Sequence, residues 1–245
     1  MVIALYADIH ANYEALAACL AHANDRGADR HVFLGDLVGY GADSRSVLDA
    51  VAQRAAEGAI VIKGNHDEAI ERHPRYMNES AQASIEHARA TLTDSHKKLL
   101  ASLPLIVREG RMCYVHASAA QPQRWDYVDS PSAAVKSVNA ALTQYTFSGH
   151  VHDQTLYYER AGVMTVFRPT PGTAIPVPGH RRYHVIVGSV GQPRDRNPAA
   201  AYALFDEENE RLTFYRVRYD HFAAAKRIRD AGLPEGLAYR VERGI

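Results

Sequence analysis

Aspartate, asparagine and histidine residues recur along the chain, each time directly after an apolar run. The motifs are "ADIHAN" with Asp8 and His10, "GDLVGYG" with Asp36, "GNHDE" with Asn65, "VHAS" with His116, and "GHVH" with His150 and His152. Each motif alone has an ordinary explanation, because Asp and Asn are frequent in helix caps and turns. Their recurrence at strand end after strand end favours a metal site.

The chemistry of these side chains narrows the kind of metal. Carboxylate, amide and imidazole donors without cysteine suit borderline divalent ions such as Mn, Fe, Zn, Co or Ni. The seven candidate ligands exceed what one tetrahedral ion needs, and they fit two ions that share a carboxylate. Two adjacent ions can hold a bridging hydroxide for in-line attack on phosphorus. The ligand set therefore indicates phosphoester hydrolysis.

The first part of the chain alternates between strands and helices, as a parallel sheet requires. Apolar runs predict strands over Val2–Asp8, His31–Asp36 and Ala59–Asn65. Apolar residues at helical spacing predict helices over Asn12–Arg26 and Ser44–Ala56. Ligands of open α/β sheets bind beyond the carboxyl ends of the strands, which is where the candidate residues stand.

The pattern changes after the third strand. Residues 68–103 carry no strand signal and predict a helical excursion, with helices over Ser80–Leu92, capped by Ser80, and Asp94–Leu103. Strand-like runs then return, together with a helix over Ser132–Leu142 and a final helix over Phe222–Ala231. We expect one domain over all 245 residues, built from two packed sheets.

Composition excludes several classes of protein. Lys plus Arg and Asp plus Glu number 28 each, and the pI is about 7.2, so no net basic field favours nucleic-acid binding. The N-terminus lacks the basic region of a signal peptide, and no apolar run is long enough for a membrane helix. Cys19 and Cys113 fit no disulfide or zinc pattern. A cytoplasmic protein that contacts no membrane is expected.

The ordered set of motifs resembles the calcineurin-like metallophosphoesterase superfamily. It is most similar to small bacterial phosphodiesterases and diadenosine-tetraphosphatase-related proteins, and the later "GSVGQPRD" (Gly188 to Asp195) is also similar to that subgroup. The resemblance implies an α/β fold of four layers (αββα), in which two mixed sheets pack face to face and helices flank them.

The resemblance also implies a role for each motif residue. One metal would be bound by Asp8, His10 and His152, the other by Asn65, His116 and His150, with Asp36 as the bridge. A hydroxide between the metals would attack phosphorus, and His66 would protonate the leaving group. His116 stands in a short motif, so His184, also beside a strand, is its alternative.

The chain departs from the family where the Ser/Thr protein phosphatases carry GDxVDRG. Gly39 replaces the Asp that would orient His66, and Tyr40 replaces the Arg that would bind phosphate. Candidates for substrate binding are Tyr40 itself, Asn12, which is equally a candidate helix cap, and Arg194, whose guanidinium could hold phosphate bidentately. Asp67 could orient His66 or cap the excursion.

The helical excursion directly follows "GNHD" and is expected to lie over the site, with Arg72, His73 and Arg75 near its start. Because the phosphatase Arg is missing, we favour a small phosphodiester or nucleotide-like substrate. The alternatives are a phosphomonoesterase or protein phosphatase, a metal hydrolase for another bond, and a non-catalytic scaffold on the same fold.

Overall fold

The structure is a computed structural model that describes residues 1–72 and 77–245. Its described strands are β1 (Val2–Tyr6), β2 (Arg30–Phe33), β3 (Ile60–Val61), β4 (Ile106–Glu109), β5 (Met112–Val115), β6 (Tyr145–Ser148), β7 (Thr155–Arg160), β8 (Val163–Phe167), β9 (Ala174–Pro176), β10 (Tyr183–Ile186), β11 (Ala200–Asp206) and β12 (Arg211–Val217). Its described α-helices are α1 (Tyr13–Asp25), α2 (Ser44–Ala56), α3 (Asn65–Glu68), α4 (Glu79–Thr91), α5 (Asp94–Ser102), α6 (Pro131–Ala141), α7 (His221–Asp230) and α8 (Glu235–Arg243).

The strands form two six-stranded sheets, and each sheet is mixed. The first has the order β3-β2-β1-β11-β12-β9, and the second has the order β4-β5-β6-β10-β7-β8. Strands β1, β2 and β3 are parallel to one another, as are β5, β6 and β10. The hairpin of β11 and β12 joins the first sheet antiparallel to β1. Strands from the end of the chain therefore complete the sheet that the first βαβ units begin.

Strand β1 shows how the layers pack. Ile3 and Leu5 are buried between the two sheets, in the same cluster as Phe147 of β6. Ala4 and Tyr6 point to the opposite face, where α1, α2, α4 and α5 cover the first sheet. Because successive side chains alternate between faces, a strand covered on both sides is apolar throughout. Helix α6 covers the outer face of the second sheet, which confirms the αββα sandwich.

The helical excursion is observed, but one of its caps differs from the prediction. Helix α4 begins at Glu79 and not at Ser80, because the side-chain oxygen of Asn78 accepts a hydrogen bond from the Ala81 amide. Thr93 caps α5 in the same way, by accepting from the His96 amide. His73 and Arg75 lie outside the described residues.

The prediction of a single C-terminal helix was wrong. A turn at Gly232 to Pro234 separates α7 from a further helix, α8, which starts immediately after the proline. Proline is tolerated there because the first residues of a helix have no intrahelical partner for their N–H groups. The two helices pack through Ile228, Leu237 and Val241. No helix in the described ranges is long and apolar enough to cross a bilayer.

Candidate metal centre

The side chains predicted as metal ligands follow the carboxyl ends of strands from both sheets. Asp8 and His10 follow β1, Asp36 follows β2, Asn65 follows β3, His116 follows β5, and His150 and His152 follow β6. All seven are buried. The loops that carry them meet where the parallel strands of the two sheets end, so the structure brings all seven side chains into contact.

The first group consists of Asp8, His10 and His152. The Nε2 atoms of the two histidines are 3.3 Å apart. The Oδ1 atom of Asp8 lies 3.3 Å from Nε2 of His152 and 3.9 Å from Nε2 of His10. One ligand atom from each side chain lies within 4.8 Å of the other two, which is a spacing that a single ion can bridge.

The second group surrounds His116. Its Nε2 atom lies 3.1 Å from Oδ1 of Asn65 and 3.1 Å from Nδ1 of His150. The Oδ2 atom of Asp36 lies 3.4 Å from the same nitrogen. His150, which is separated from His152 by a single residue, therefore belongs to a different ligand group from His152.

Asp36 lies between the two groups. Its Oδ2 atom is 3.7 Å from Nε2 of His10 and 3.4 Å from Nε2 of His116. A carboxylate oxygen in that position can contact an ion in either group, so the geometry fits the bridging role that the resemblance implied.

Backbone hydrogen bonds orient both carboxylates. The His150 amide donates to Oδ2 of Asp8, and the His66 amide donates to Oδ1 of Asp36, each at 2.8 Å. The remaining Oδ1 atom of Asp8 is buried without any hydrogen-bond partner in the described ranges. A buried, ionised oxygen of this kind is costly unless a cation compensates it. The carboxylates therefore fit bound divalent metal.

The imidazole rings are oriented in the same way. The Nδ1 atoms of three rings face backbone carbonyl oxygens: His10 faces Val38 at 3.3 Å, His116 faces Leu34 at 2.8 Å, and His152 faces Gln192 at 2.6 Å. Carbonyl oxygens only accept, so each Nδ1 carries a proton and each Nε2 faces the centre, where a metal binds its lone pair after displacing any proton on that nitrogen. This tautomer is the one that a metal requires.

The backbone at the site adopts a conformation that is uncommon outside glycine. Five of the candidate ligands have φ angles in the left-handed region: Asp8 (52°), His10 (49°), Asp36 (55°), His150 (68°) and His152 (72°). Such residues cluster at functional sites, where surrounding contacts maintain the strain. Gly149 allows the close approach, because a Cβ atom there would lie 2.3 Å from Oδ2 of Asp8.

The charges of the centre depend on one another. Burial opposes ionisation of Asp36, yet His116, His66 and His10 together hold the pKa of its carboxyl well below the usual value. Burial disfavours protonated His116, but Asp36 outweighs it and raises the pKa of His116 to about 9. Burial lowers the pKa of His150 to about 3. The carboxylate is therefore ionised at neutral pH and available to a metal.

His66 lies beside the centre and has no partner for Nδ1 among the described residues. Its ring centroid is 4.9 Å from that of His10 and 4.5 Å from that of Tyr40. A Cβ atom on Gly39 would lie 2.3 Å from Nδ1 of His66. The residue that replaces the orienting Asp of the phosphatases is therefore in direct contact with His66, and aromatic packing holds the ring instead.

Asp67 does not orient His66 in the structure. Its carboxylate accepts hydrogen bonds from the amides of Asp36, Leu37 and Val38, at 2.9 to 3.3 Å. It also accepts from the Gly64 amide at 2.8 Å, which caps α3. Asp67 therefore joins the "GDLVGYG" loop to the "GNHD" loop.

A cleft of about 150 Å³ opens onto the centre. Asp36, His66, Tyr40 and Arg194 line it, together with Asn78 of the helical excursion. The excursion therefore borders the site, as predicted. Arg194 and Tyr40, both predicted to bind substrate, are among the residues that line this cleft.

Asn12 does not line this cleft. Its side-chain oxygen accepts from the Ala15 amide and caps α1. Its side-chain nitrogen donates to the Gly191 carbonyl at 2.9 Å and to the Tyr219 hydroxyl at 3.0 Å. Both ends of the amide are occupied within the protein, so the geometry supports the cap and not the predicted substrate contact.

His184, the alternative to His116, lies away from the centre. It is fully buried on β10, where its Nε2 atom is 2.9 Å from the Ser148 hydroxyl. The tertiary structure thus places His116, and not His184, beside Asp36.

Tyr127 borders the site and was not predicted. Its ring stacks on His150 with centroids 4.1 Å apart, yet 55% of the residue remains exposed. Nearby, the indole nitrogen of Trp125 donates to Glu68 and ties this loop to α3. The loop has neither helical nor alternating periodicity, so no sequence signal marked Tyr127.

Comparisons with known proteins agree with this geometry. Residues 1–210 match the Calcineurin-like phosphoesterase superfamily domain, and the chain belongs to this family. Its fold and its clustered His and Asp side chains are those of a metallophosphoesterase.

Two relatives that align with nearly the whole chain are at least 30% identical to it. The chain is 34% identical to a metallophosphoesterase from Sphaerobacter thermophilus, with a TM-score of 0.87 over 100% of this chain and 99% of that one. It is 30% identical to the uncharacterized protein MJ0912 of Methanocaldococcus jannaschii, over 99% of this chain and 98% of that protein. The protein PH1004 of Pyrococcus horikoshii OT3, at 20% identity, shares the fold with a TM-score of 0.80.

Proposed function

We propose that this protein is a dinuclear-metal-dependent phosphoester hydrolase that acts on phosphodiesters or nucleotide-like substrates. The observation that carries the proposal is the position of Asp36 Oδ2, within 3.7 Å of a histidine Nε2 atom from each of two ligand groups. Asp8, His10 and His152 would hold one ion, and Asn65, His116 and His150 the other. Bound divalent ions would supply an activated water and neutralise charge on the phosphate oxygens.

His66 is the proposed donor of a proton to the leaving group. Burial lowers its pKa, so the neutral ring predominates when the cleft holds no anion. A phosphate in the cleft favours the protonated ring by direct charge attraction. Protonation would therefore accompany substrate binding, at the point where the leaving oxygen needs a proton.

The preference for diesters rests on the residues beside His66. Gly39 and Tyr40 stand where the protein phosphatases carry Asp and Arg, so a second charged ligand for a phosphomonoester dianion is missing from that loop. Arg194 lines the cleft, has no ion pair in the described ranges, and could bind one non-bridging oxygen. One guanidinium suits the single negative charge of a diester.

Hydrolysis of bis(p-nitrophenyl) phosphate and p-nitrophenyl phosphate by the metal-loaded protein tests the proposal. We expect turnover of both with a preference for the diester, and about two metal ions per chain by elemental analysis. With a diester whose leaving group is an alkoxide, which unlike p-nitrophenolate needs a proton, His66→Ala should lower kcat by about 100-fold or more, and it should retain the metals. His180→Ala, in an exposed turn, is the matched control and should keep full activity.

Two outcomes would contradict the proposal. Full metal occupancy without turnover of a broad set of phosphoesters would indicate a scaffold. Turnover confined to amides or carboxylic esters would indicate a different hydrolase.

A further inference from the structure

A second cavity adjoins the cleft of the metal centre. It has a volume of about 450 Å³ and lies between the start of α4 and helix α8. Tyr40 and Asn78 line both spaces, so the two cavities adjoin at these residues, and together they are called the groove below. A substrate that occupies the metal centre can therefore extend past Tyr40 towards α8.

The groove contains two arginines without carboxylate partners in the described ranges. Arg194 donates to the side-chain oxygen of Gln192 at 3.1 Å, but its buried Nε atom has no partner. Arg240 of α8 lines the second cavity, and none of the ion pairs of the described residues includes it. A half-buried guanidinium without a counter-ion is ready to bind an anion.

Tyr40 lies between the two arginines. The guanidinium carbon of Arg194 is 6.0 Å from the centroid of its ring. Arg240 lines the second cavity together with Tyr40, whose ring packs against the apolar cluster of α7 and α8. Both cations therefore lie close to Tyr40, on the two cavities that it borders.

Two other arginines of the C-terminal helices form ion pairs with carboxylates. Arg227 pairs with Glu14 and Asp43, and Arg229 pairs with Glu235 and Glu242. Arg240 lies on the same helical hairpin and turns towards the groove instead. Glu79 also borders the groove, but it is exposed in the first turn of α4, where the helix N-terminus favours a carboxylate.

We propose that the groove between α4 and α8 binds a second phosphate group of the substrate, with Arg240 as its ligand. Arg194 would contact the phosphate at the metal centre, and Tyr40 would form the wall between the two positions. This inference rests on the proposed function, because it assigns a specificity site to the same cleft. It names the substrate class as a phosphoester that carries another phosphate beyond the scissile one.

Calorimetric titration of the Mn²⁺-loaded protein tests the inference. The ligands are adenosine 3′,5′-bisphosphate and adenosine 5′-monophosphate, which differ only in the second phosphate. We expect the bisphosphate to bind about tenfold more tightly, as one charge-assisted contact provides. Arg240→Gln should remove that preference and leave the monophosphate affinity unchanged.

Two further variants separate a specific contact from a general loss of charge. Arg243→Gln removes one charge from an exposed position on the same helix and should retain the preference. Glu79→Gln removes the opposing carboxylate and should strengthen binding of the bisphosphate. Equal affinity of the wild type for both ligands would overturn the inference, as would an unchanged preference in Arg240→Gln.

A substrate without a second phosphate distinguishes this inference from the proposed function. Bis(p-nitrophenyl) phosphate is such a substrate, so its hydrolysis by the wild-type protein tests the proposed function alone. A bisphosphate preference without any hydrolysis would overturn the proposed function and leave the binding groove supported. Hydrolysis without a bisphosphate preference would overturn the groove alone.

Discussion

The residue at position 39 determines which groups surround and hold His66. In the phosphatase motif an aspartate stands at the position of Gly39. Here the glycine has a φ of +85°, and its Cα faces Nδ1 of His66 so closely that a Cβ atom would lie 2.3 Å away. The His66 ring thus occupies the volume that a side chain at position 39 would need, and the rings of Tyr40 and His10 hold the histidine.

Gly39→Ala should lower kcat about tenfold or more without loss of metal, because the new methyl group must displace His66. A steady-state assay together with elemental analysis would show this. Gly162→Ala is a matched control, since Gly162 has a φ of +78° and nothing within 4 Å of its added Cβ atom. Both variants should lose about 1 kcal/mol of stability through backbone strain. Full activity of Gly39→Ala would show that His66 does not need its present position.

At the scale of elements, Asn12 connects α1 to two distant segments. It caps the helix, and it also donates to the Gly191 carbonyl and the Tyr219 hydroxyl. The loop that contains Gly191 continues to Gln192, whose carbonyl oxygen orients His152. The cap of one helix therefore supports the position of a candidate metal ligand.

Asn12→Ala should lower the free energy of unfolding by about 3 kcal/mol, from roughly 1 kcal/mol for the cap and about 1 kcal/mol for each further hydrogen bond. Asp220→Ala, which removes only the exposed cap of α7, should cost about 1 kcal/mol. Urea denaturation of both variants measures the difference. A stable Asn12→Ala variant with a raised KM would instead support substrate binding by Asn12.

At the scale of the whole molecule, the metal centre joins the two sheets. Asp8, Asp36 and Asn65 follow strands of the first sheet, whereas His116 and His150 follow strands of the second. A centre whose ligands come from both sheets binds metal only in the folded protein, because unfolding separates these ligands. Metal binding should therefore stabilise the entire sandwich and not only the loops.

Removal of metal by EDTA should lower Tm by about 10 °C relative to the protein in excess Mn²⁺. Metal at a thousandfold excess over its Kd adds about 4 kcal/mol to the free energy of unfolding. Each kcal/mol of added stability raises Tm by about 2–4 °C. Differential scanning calorimetry would measure both states. Asp36→Asn, which weakens the shared ligand, should show a much smaller difference between the two conditions. An identical Tm with and without Mn²⁺ would argue against a metal that connects the sheets.

The sequence by itself determined the first βαβ units, the helical excursion and the family, because apolar periodicity and short motifs are local properties of the chain. It also indicated the metal-ligand set, since donors that follow parallel strands must share one edge of a sheet. Tyr127 was not predicted, because it lies in a loop without periodicity. Helix α8 was not predicted either, because it begins just after a turn at Gly232 and Pro234, which predicted the end of the last helix.

Only the tertiary structure decided between residues with the same local pattern. His116 and His184 both stand beside apolar strands, and the order of strands in the second sheet places one at the metal centre and the other in the core. Asn12 follows "DIH" directly, yet its amide is used by Gly191 and Tyr219, far along the chain. Arg240 borders the groove because α8 packs beside Tyr40. These outcomes depend on contacts between distant segments, which no local pattern of residues encodes.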